Sequence, residues 1–333
     1  MPLSLSPEAL DIAPPRLRIG VSSCLLGEEV RYNGGHKRDA FLTDVFGQYA
    51  EWVPVCPEVE IGLGTPRPSM RLVRIGPDVH LITPETSADH TDVMRSWSER
   101  RTEELAAARL DGYVLKKDSP SCGMERVKIY PEAAGSPNPI PNKEGRGLFA
   151  EALLRRLPHL PVEEEGRLND PSLRENFITR VFLHNRWRGQ EAHWTRSGLM
   201  RFHERHKFLL MARNQAGMRR LGRLLGTSDK NADVRALAGA YRDGLTEVMR
   251  RPPTRRGHTN VLQHLAGFVS DELDRDDRGE LSDMIDRYRC GLVPLIVPLT
   301  LLRHHVRRQG TDYLHDQIYL NPHPYELMLL NHV

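Results

Sequence analysis

RLRIGVSSCLLG, residues 16–27, decides the fold. Its alternating, β-branched first part, 16–23, reads as a strand, and the run ends on two serines and Cys24. The pattern returns in WVPVC (52–56), a strand that ends on Cys56. It returns again in DGYVLKK (111–117), followed closely by DSPSCG and Cys122. The carboxyl ends of parallel strands share one edge, where α/β folds bind their ligands. Cysteines far apart in the chain therefore have a common meeting place for a metal centre. Three thiolates with no nearby fourth leave one coordination position open, as a catalytic metal requires. The plain alternative is three buried cysteines lining a core. Pro-Glu after Cys56 and Ser-Pro-Ser before Cys122 are polar turns and weigh against it. There is no CxxC pair, so a zinc ribbon or thioredoxin-type motif has no support.

Outward from these strands the first half alternates strand and helix. HKRDAFLTDVFGQYAEW (36–52) has helical spacing. MRLVRIG and DVHLITP form a hairpin around Gly76-Pro77-Asp78. TDVMRSWSERRTEELAAARL (91–110) is an amphipathic helix. AAGSPNPIPNKEGRG (133–147) is a loop, LFAEALLRRL a helix and HLPVEEE a last strand. This order predicts a Rossmann-like parallel sheet with right-handed crossovers. From about residue 170 strand patterns vanish. Helices are predicted at 171–188, 197–225, 231–250, 259–273, 279–289 and 293–309, with RPPTRRGH (251–258) as a turn. The expected organisation is an α/β domain over 1–168 and an all-α domain over 169–333, joined by a short connector at 166–171.

The 333 residues suffice for two ordinary domains. GLVPLIVPLTLL (291–302) is the longest apolar run; it is too short to span a bilayer and reads as a buried helix. MPLSLSPEALDIAPPRLR lacks the charged start and apolar core of a secretory signal. It reads as a loose arm, with the cytoplasm as the expected location, no membrane partner and no disulfides. Residues 1–162 hold 20 Lys+Arg and 22 Asp+Glu, and the remainder 27 and 22. A mildly basic second half is compatible with a nucleic-acid partner. The oligomeric state is not legible.

VSSCLLGEEVRYNGGHKR, VCPEVEIGLGTPRP, LKKDSPSCG and GRGLFAEALL together resemble the thiouracil desulfidase family. FHERHKFLLMARN, NVLQHLAGF, YRCGLVPLIVPLTLLRHH and YLNPHPYELML look like the YbgA-type helical domain. The fused arrangement is similar to two-domain desulfidases that remove sulfur from 4-thiouridine in tRNA. Two positions depart from the family pattern, Asn33 where an Asp is expected and Ser69 where a second Pro is common. The resemblance implies a [4Fe-4S] cluster held by Cys24, Cys56 and Cys122, with the fourth iron free for the thiocarbonyl sulfur of the substrate. Cys290 matches no ligand and reads as structural.

Removal of sulfur from C4 of a thiouracil ring is a hydrolysis without net redox change. Water attacks C4, and a carboxylate near the open iron serves as base. Glu58 is the first candidate and Glu60 the second; a loop or capping carboxylate is the plain alternative for Glu58. Ser119 and Ser121 are candidates for contacting the pyrimidine or positioning the water, against ordinary turn capping. Lys116 and Lys117 are candidates for phosphate or developing negative charge, against a solvated strand end. Ser22, Ser23, Arg31, Tyr32 and Asn33 are candidates for shaping the pocket. In the second half Arg201, His203, Arg205, His206, Lys207 and Phe208 mix basic groups with an aromatic, as an RNA contact does. Their HxxH spacing lacks a third metal ligand and reads as a solvated face. Arg219, Arg220 and Arg223 form a second basic stretch. Three rival readings remain: a desulfidase of free thiouracil, a non-catalytic iron–sulfur sensor or nucleic-acid-binding protein, and a four-thiolate zinc site.

Overall fold

β1 (Leu17–Ser22) is an inner strand of a four-stranded sheet in the computed structural model, which describes residues 16–132, 140–229, 233–309 and 312–332. The predicted N-terminal arm before residue 16 lies outside these residues. β2 (Ala50–Val55) pairs with β1 from Leu17↔Ala50 to Ser22↔Val55, in parallel. Leu17, Ile19 and Val21 are fully buried, as their alternation predicts.

The predicted helix over 36–52 is not formed. Residues 41–45 make a π-type turn and 46–48 a 3-10 turn, and Ala50 already belongs to the sheet. Phe41, Leu42 and Phe46 have helical spacing, but the Leu17 N–H donates to the Tyr49 carbonyl at 2.8 Å. Pairing with β1 therefore takes the chain before a regular helix develops. Phe46 instead packs edge-on against Trp52, ring centroids 6.0 Å apart.

After β2 comes the one-turn α1 (Pro57–Glu60). β3 (Arg71–Ile75) and β4 (Asp78–Thr83) form the predicted hairpin, with Gly76 at φ +57 in the turn. They belong to a second sheet that the hydrophobic pattern does not announce. β5 (Ala88–Asp89) pairs with β4. The long α2 (Thr91–Ala107) and β6 (Gly112–Leu115) follow. Arg109, at φ +54, stands between this helix and β6. β7 (Val127–Pro131) and β8 (Asn142–Gly145) complete the second sheet in the order β5-β4-β3-β7-β8. β8 falls within the stretch predicted as loop, of which residues 133–139 lie outside the described ones. Its sequence, NKEG, has no apolar alternation to betray it.

α3 (Leu148–Arg156) leads to β9 (Val162–Glu164), and the first sheet runs β2-β1-β6-β9, all parallel. Trp97 of α2 and Tyr113 of β6 both pack on Phe149 of α3, at 5.4 and 5.9 Å between centroids. Gly20 is forced by this packing, since a Cβ there would come within 2.1 Å of the Tyr113 ring.

The chain divides into two units after Gly166. The second is helical throughout its described residues: α4 (Pro171–Gln190), α5 (Arg196–Arg213), α6 (Gln215–Thr227), α7 (Val234–Met249), α8 (Arg255–Val269), α9 (Arg275–Arg289), α10 (Ile296–Gln309) and the single turn α11 (Asp312–His315). The single helix predicted over 197–225 is two. Asn214 leaves the helical region at φ −156, and its side chain caps the next helix by accepting the Gly217 N–H at 2.9 Å. α8 begins inside the predicted turn 251–258, capped by Thr254. The apolar run 291–302 is helical only from Ile296, and Leu292 is exposed. The first residues of the helix predicted over 231–250 lie outside the described set. Trp187, Phe202 and Tyr241 centre the core of this unit. Among the described residues no helix is long and apolar enough to cross a membrane.

Candidate active site

Three chain segments at the carboxyl edge of the parallel sheet carry the cysteines. Cys24 lies in the 3-10 turn Ser23–Leu26 directly after β1, ended by Gly27 at φ +99. Cys56 follows β2 and starts α1 in an extended conformation, with Pro57 at the first helical position. Cys122 lies in a turn after β6 that Ser119 organises: its hydroxyl oxygen accepts the N–H of Ser121 at 3.2 Å and of Cys122 at 3.0 Å. All three line one cavity of about 480 Å³. Burial pushes the Cys24 thiol up to about 11 and the Cys56 thiol up to about 12. It raises Cys122 well above the ordinary thiol value, with a smaller contribution from Glu58.

Glu58 lines this cavity as well. Its Oε2 stands 3.6 Å from Cys56 Sγ, and its Oε1 is 3.5 Å from the Ser119 hydroxyl. Arg67 Nη2 approaches Oε2 at 3.9 Å, on a side chain only 8% exposed. Glu60 points elsewhere. It does not line the cavity; its Oε1 accepts the Cys56 N–H at 3.2 Å and its Oε2 pairs with Arg101 at 3.1 Å. Burial raises the Glu60 carboxyl, and Arg101 opposes this.

Ser22, Ser23, Arg31, Tyr32, Lys116, Lys117 and Ser119 line the cavity with the cysteines. The Ser22 side chain accepts the Lys116 N–H at 3.0 Å and is hydrogen-bonded to Cys122. Lys116 is tied to Glu165, which also accepts the Lys117 N–H at 2.7 Å. Ser121 and Asn33 do not line the cavity. Ser121 is fully buried and its carbonyl accepts the Phe149 and Ala150 N–H groups in the first turn of α3. Asn33 closes its own turn by accepting the Gly35 N–H at 3.3 Å.

Two cationic residues of the cavity escape sequence reasoning, Lys37 and Arg67. Arg67 sits in the quoted TPRP motif and donates through Nη1 to the Val30 carbonyl at 3.0 Å. That motif was the available signal. Lys37, in GGHKR, had none beyond proximity to Cys24, whose carbonyl accepts its N–H at 2.8 Å.

The donor set is sulfur-rich and soft, which fits an iron–sulfur group. Among the described residues no three His, Cys, Asp or Glu side chains are arranged to hold a single ion. Thiolates that each bind a different iron of a cluster need not converge on one point. Cys290 is exposed at the end of α9, in the other unit.

In the helical unit the predicted basic face is only partly a face. Arg201 and Arg205 are exposed and Lys207 is half-buried. His206 and Phe208 are buried and leave the predicted surface; the His206 ring stacks on Phe202, with Nδ1 at 2.7 Å from the Phe202 carbonyl. His203 is half-buried against the Tyr241 hydroxyl at 3.0 Å. Burial pushes His203 down to about 4 and His206 to about 3. The reason is helical geometry: α5 is enclosed on more than one side, so residues three and four apart point into the core. On α6 Arg219, Arg220 and Arg223 are exposed, with Arg220 paired to Glu247.

The profile of the family described as 2-thiouracil desulfurase matches residues 19–165. That of a protein family of unknown function, DUF1722, matches residues 207–324. The uncharacterised protein YbgA of Escherichia coli (strain K12) is 30% identical over 151 residues, covering 45% of this chain and 89% of YbgA. The uncharacterised protein YbbK of Bacillus subtilis (strain 168) is 35% identical over 108 residues, covering 31% of this chain and 71% of YbbK. A solved structure of the [4Fe-4S]-dependent thiouracil desulfidase TudS is 33% identical, covering 46% of this chain and 94% of that one, with a TM-score of 0.36.

Proposed function

We propose, for a chain that belongs to the two-domain family joining a 2-thiouracil desulfurase unit to a YbgA-like helical unit, that it removes sulfur hydrolytically from 4-thiouridine in tRNA at a [4Fe-4S] cluster held by Cys24, Cys56 and Cys122. The observation that carries this reading is the placement of three thiols, from three strand ends, around one cavity with Glu58 among them. Burial raises all three thiols, so each would give up its proton only on ligation to iron. Cys24, Cys56 and Cys122 would hold the cluster, which would supply soft Lewis-acid chemistry able to polarise a C=S bond.

The residues of the chain do the rest. Glu58 receives a proton from the water that attacks C4. A C–O bond forms, the C–S bond breaks, and sulfide leaves with no electron added or removed. Ser119 orients Glu58 through Oε1 while its own oxygen holds the Cys122 turn. Arg67 fixes the other carboxylate oxygen. Lys116, anchored by Glu165, places a cation on the wall against developing negative charge. Exposed Arg201, Arg205, Arg219 and Arg223 of α5 and α6 supply phosphate contacts for tRNA.

The test is anaerobic incubation of the full chain with tRNA containing 4-thiouridine and, separately, with free 4-thiouracil, scoring sulfide and uracil-type product. Loss of thiouridine from tRNA with release of sulfide supports the reading. Turnover of the free base with none on tRNA restricts the enzyme to small thiouracils. Turnover of neither rejects it.

A further inference from the structure

The helical unit contains a second cavity, of about 180 Å³, where the first turn of α4 meets α8, α9 and the segment 330–332. Glu175, His258 and Tyr288 line it and are 5%, 7% and 5% exposed. Arg255 and half-buried Ser172 also line it, with Leu330 as an apolar contributor.

These polar groups are not satisfied by the protein. Among the described residues the Glu175 carboxylate has no hydrogen bond and no ion pair, and neither has the Tyr288 hydroxyl. His258 spends Nδ1 on the Tyr319 hydroxyl at 2.8 Å and leaves Nε2 without a partner. The Arg255 guanidinium lies against Gly291, where a Cβ would come within 2.7 Å of Nη1. A buried carboxylate without donors is costly, and burial duly pushes the Glu175 carboxyl up, with Arg213 opposing. Convergent polar groups with free hydrogen-bonding capacity on one concave site suit a ligand.

Size and chemistry narrow the ligand. At ~30 Å³ per water the space holds about six waters, or one flat ring system. Glu175 offers two acceptor oxygens side by side. Guanine alone among the common bases carries two adjacent N–H donors on its pairing edge, N1–H and N2–H. Adenine and cytosine set a ring-nitrogen acceptor beside their amino group, and uracil flanks N3–H with carbonyls. Each of these would turn an acceptor on the second carboxylate oxygen. Guanine O6 lies beside N1–H and needs a donor, which Tyr288 and Arg255 can give. Arg255 lines the cavity, and Arg250, Arg251 and Arg256, close to it in the chain, are exposed like it; none of their side chains has a hydrogen bond or ion pair with a described residue. Unpaired arginines in one short segment suit phosphate.

We propose that this cavity is a guanine-nucleotide site. Glu175 receives N1–H and N2–H of the base, Tyr288 and Arg255 serve O6, and the arginines of 250–256 take the phosphate. The site is independent of the cluster chemistry, so its failure leaves the desulfidase reading intact.

Calorimetric titration of the full chain with GMP, AMP, CMP and UMP at one salt concentration tests it. GMP is expected to bind about ten-fold or more tightly than the other three, the discrimination of a good bidentate contact. Glu175→Gln, with its fold verified by circular dichroism and melting, levels the four. Tyr288→Phe lowers affinity for GMP and not for AMP. Arg251→Ala with Arg256→Ala weakens all four by a similar factor and keeps the guanine preference. Single-stranded RNA hexamers with one guanosine or none distinguish the source: tighter binding of the guanosine hexamer than of GMP points to RNA, and equal binding to the free nucleotide. Equal affinity for the four nucleotides overturns the proposal. So does a guanine preference that survives in folded Glu175→Gln and Tyr288→Phe.

Discussion

The Ser119 hydroxyl stands 3.5 Å from Glu58 Oε1 while its oxygen accepts the Cys122 N–H at 3.0 Å. One small side chain therefore links the candidate base, from the second cysteine segment, to the turn that carries the third cysteine. Ser119→Ala removes both functions. It leaves two turn N–H groups without an acceptor, at about 1–3 kcal/mol, and frees the carboxylate. Chemical denaturation should report the loss of stability, and turnover should fall even under conditions where the variant is fully folded.

Glu58→Gln separates cluster binding from chemistry. Iron content and colour should persist, and turnover should fall by roughly two to four orders of magnitude, as for loss of a general base. A near-normal rate in this variant would move the base role to another group.

Replacing Cys24, Cys56 or Cys122 by Ser should abolish the brown colour and the iron of anaerobically prepared protein. Cys290→Ser should keep both, because Cys290 is exposed in the other unit. Iron analysis decides, and loss of the cluster in Cys290→Ser contradicts the ligand assignment.

His206 and His258 set an acid limit on the helical unit. Burial lowers both to about 3, against an ordinary value of 6.5. The unfolded chain therefore binds more protons than the folded one between these values. Stability is full above about 6.5 and falls as pH drops towards 3, by about 1.4 kcal/mol per pH unit per histidine. Melting temperatures across pH 7 to 4 should fall, and His258→Gln should flatten the slope. A flat profile in the unsubstituted protein contradicts the burial of these rings.

Gly20→Ala places a Cβ 2.1 Å from the Tyr113 ring. Overpacking at this level should destabilise the α/β unit by about 1–3 kcal/mol or more. Urea denaturation checks it, and partial rescue by Gly20→Ala combined with Tyr113→Leu would assign the loss to this contact.

The parallel sheet was legible because its inner strands alternate in runs of β-branched residues, as in RIGV, and because a cysteine follows three of the four. The second sheet was not, because its edge strand NKEG is polar and its β5 has only two residues. Asn214 reads equally as a mid-helix residue or a cap, so the sequence does not separate α5 from α6. At the site, adjacency in sequence to Cys56 and Cys122 pointed to Glu58 and Ser119. It also suggested Ser121, which the turn sends into the protein interior, and Glu60, which a cation on α2 holds elsewhere. His206 reads as a surface group in the sequence because a basic stretch hides which helix side faces the core when the helix is buried on several sides.

The central claim is hydrolytic removal of sulfur at the cavity of the three cysteines. The most direct measurement is anaerobic turnover of 4-thiouridine tRNA in oxygen-18 water without any electron donor, following sulfide and the mass of the uridine product. The account predicts one sulfide per uridine formed and one heavy oxygen in each uridine, with no turnover when Cys24, Cys56 and Cys122 are all replaced by Ser. A requirement for a reductant at each turnover, uridine lacking the heavy oxygen, or full activity in the triple variant would contradict it.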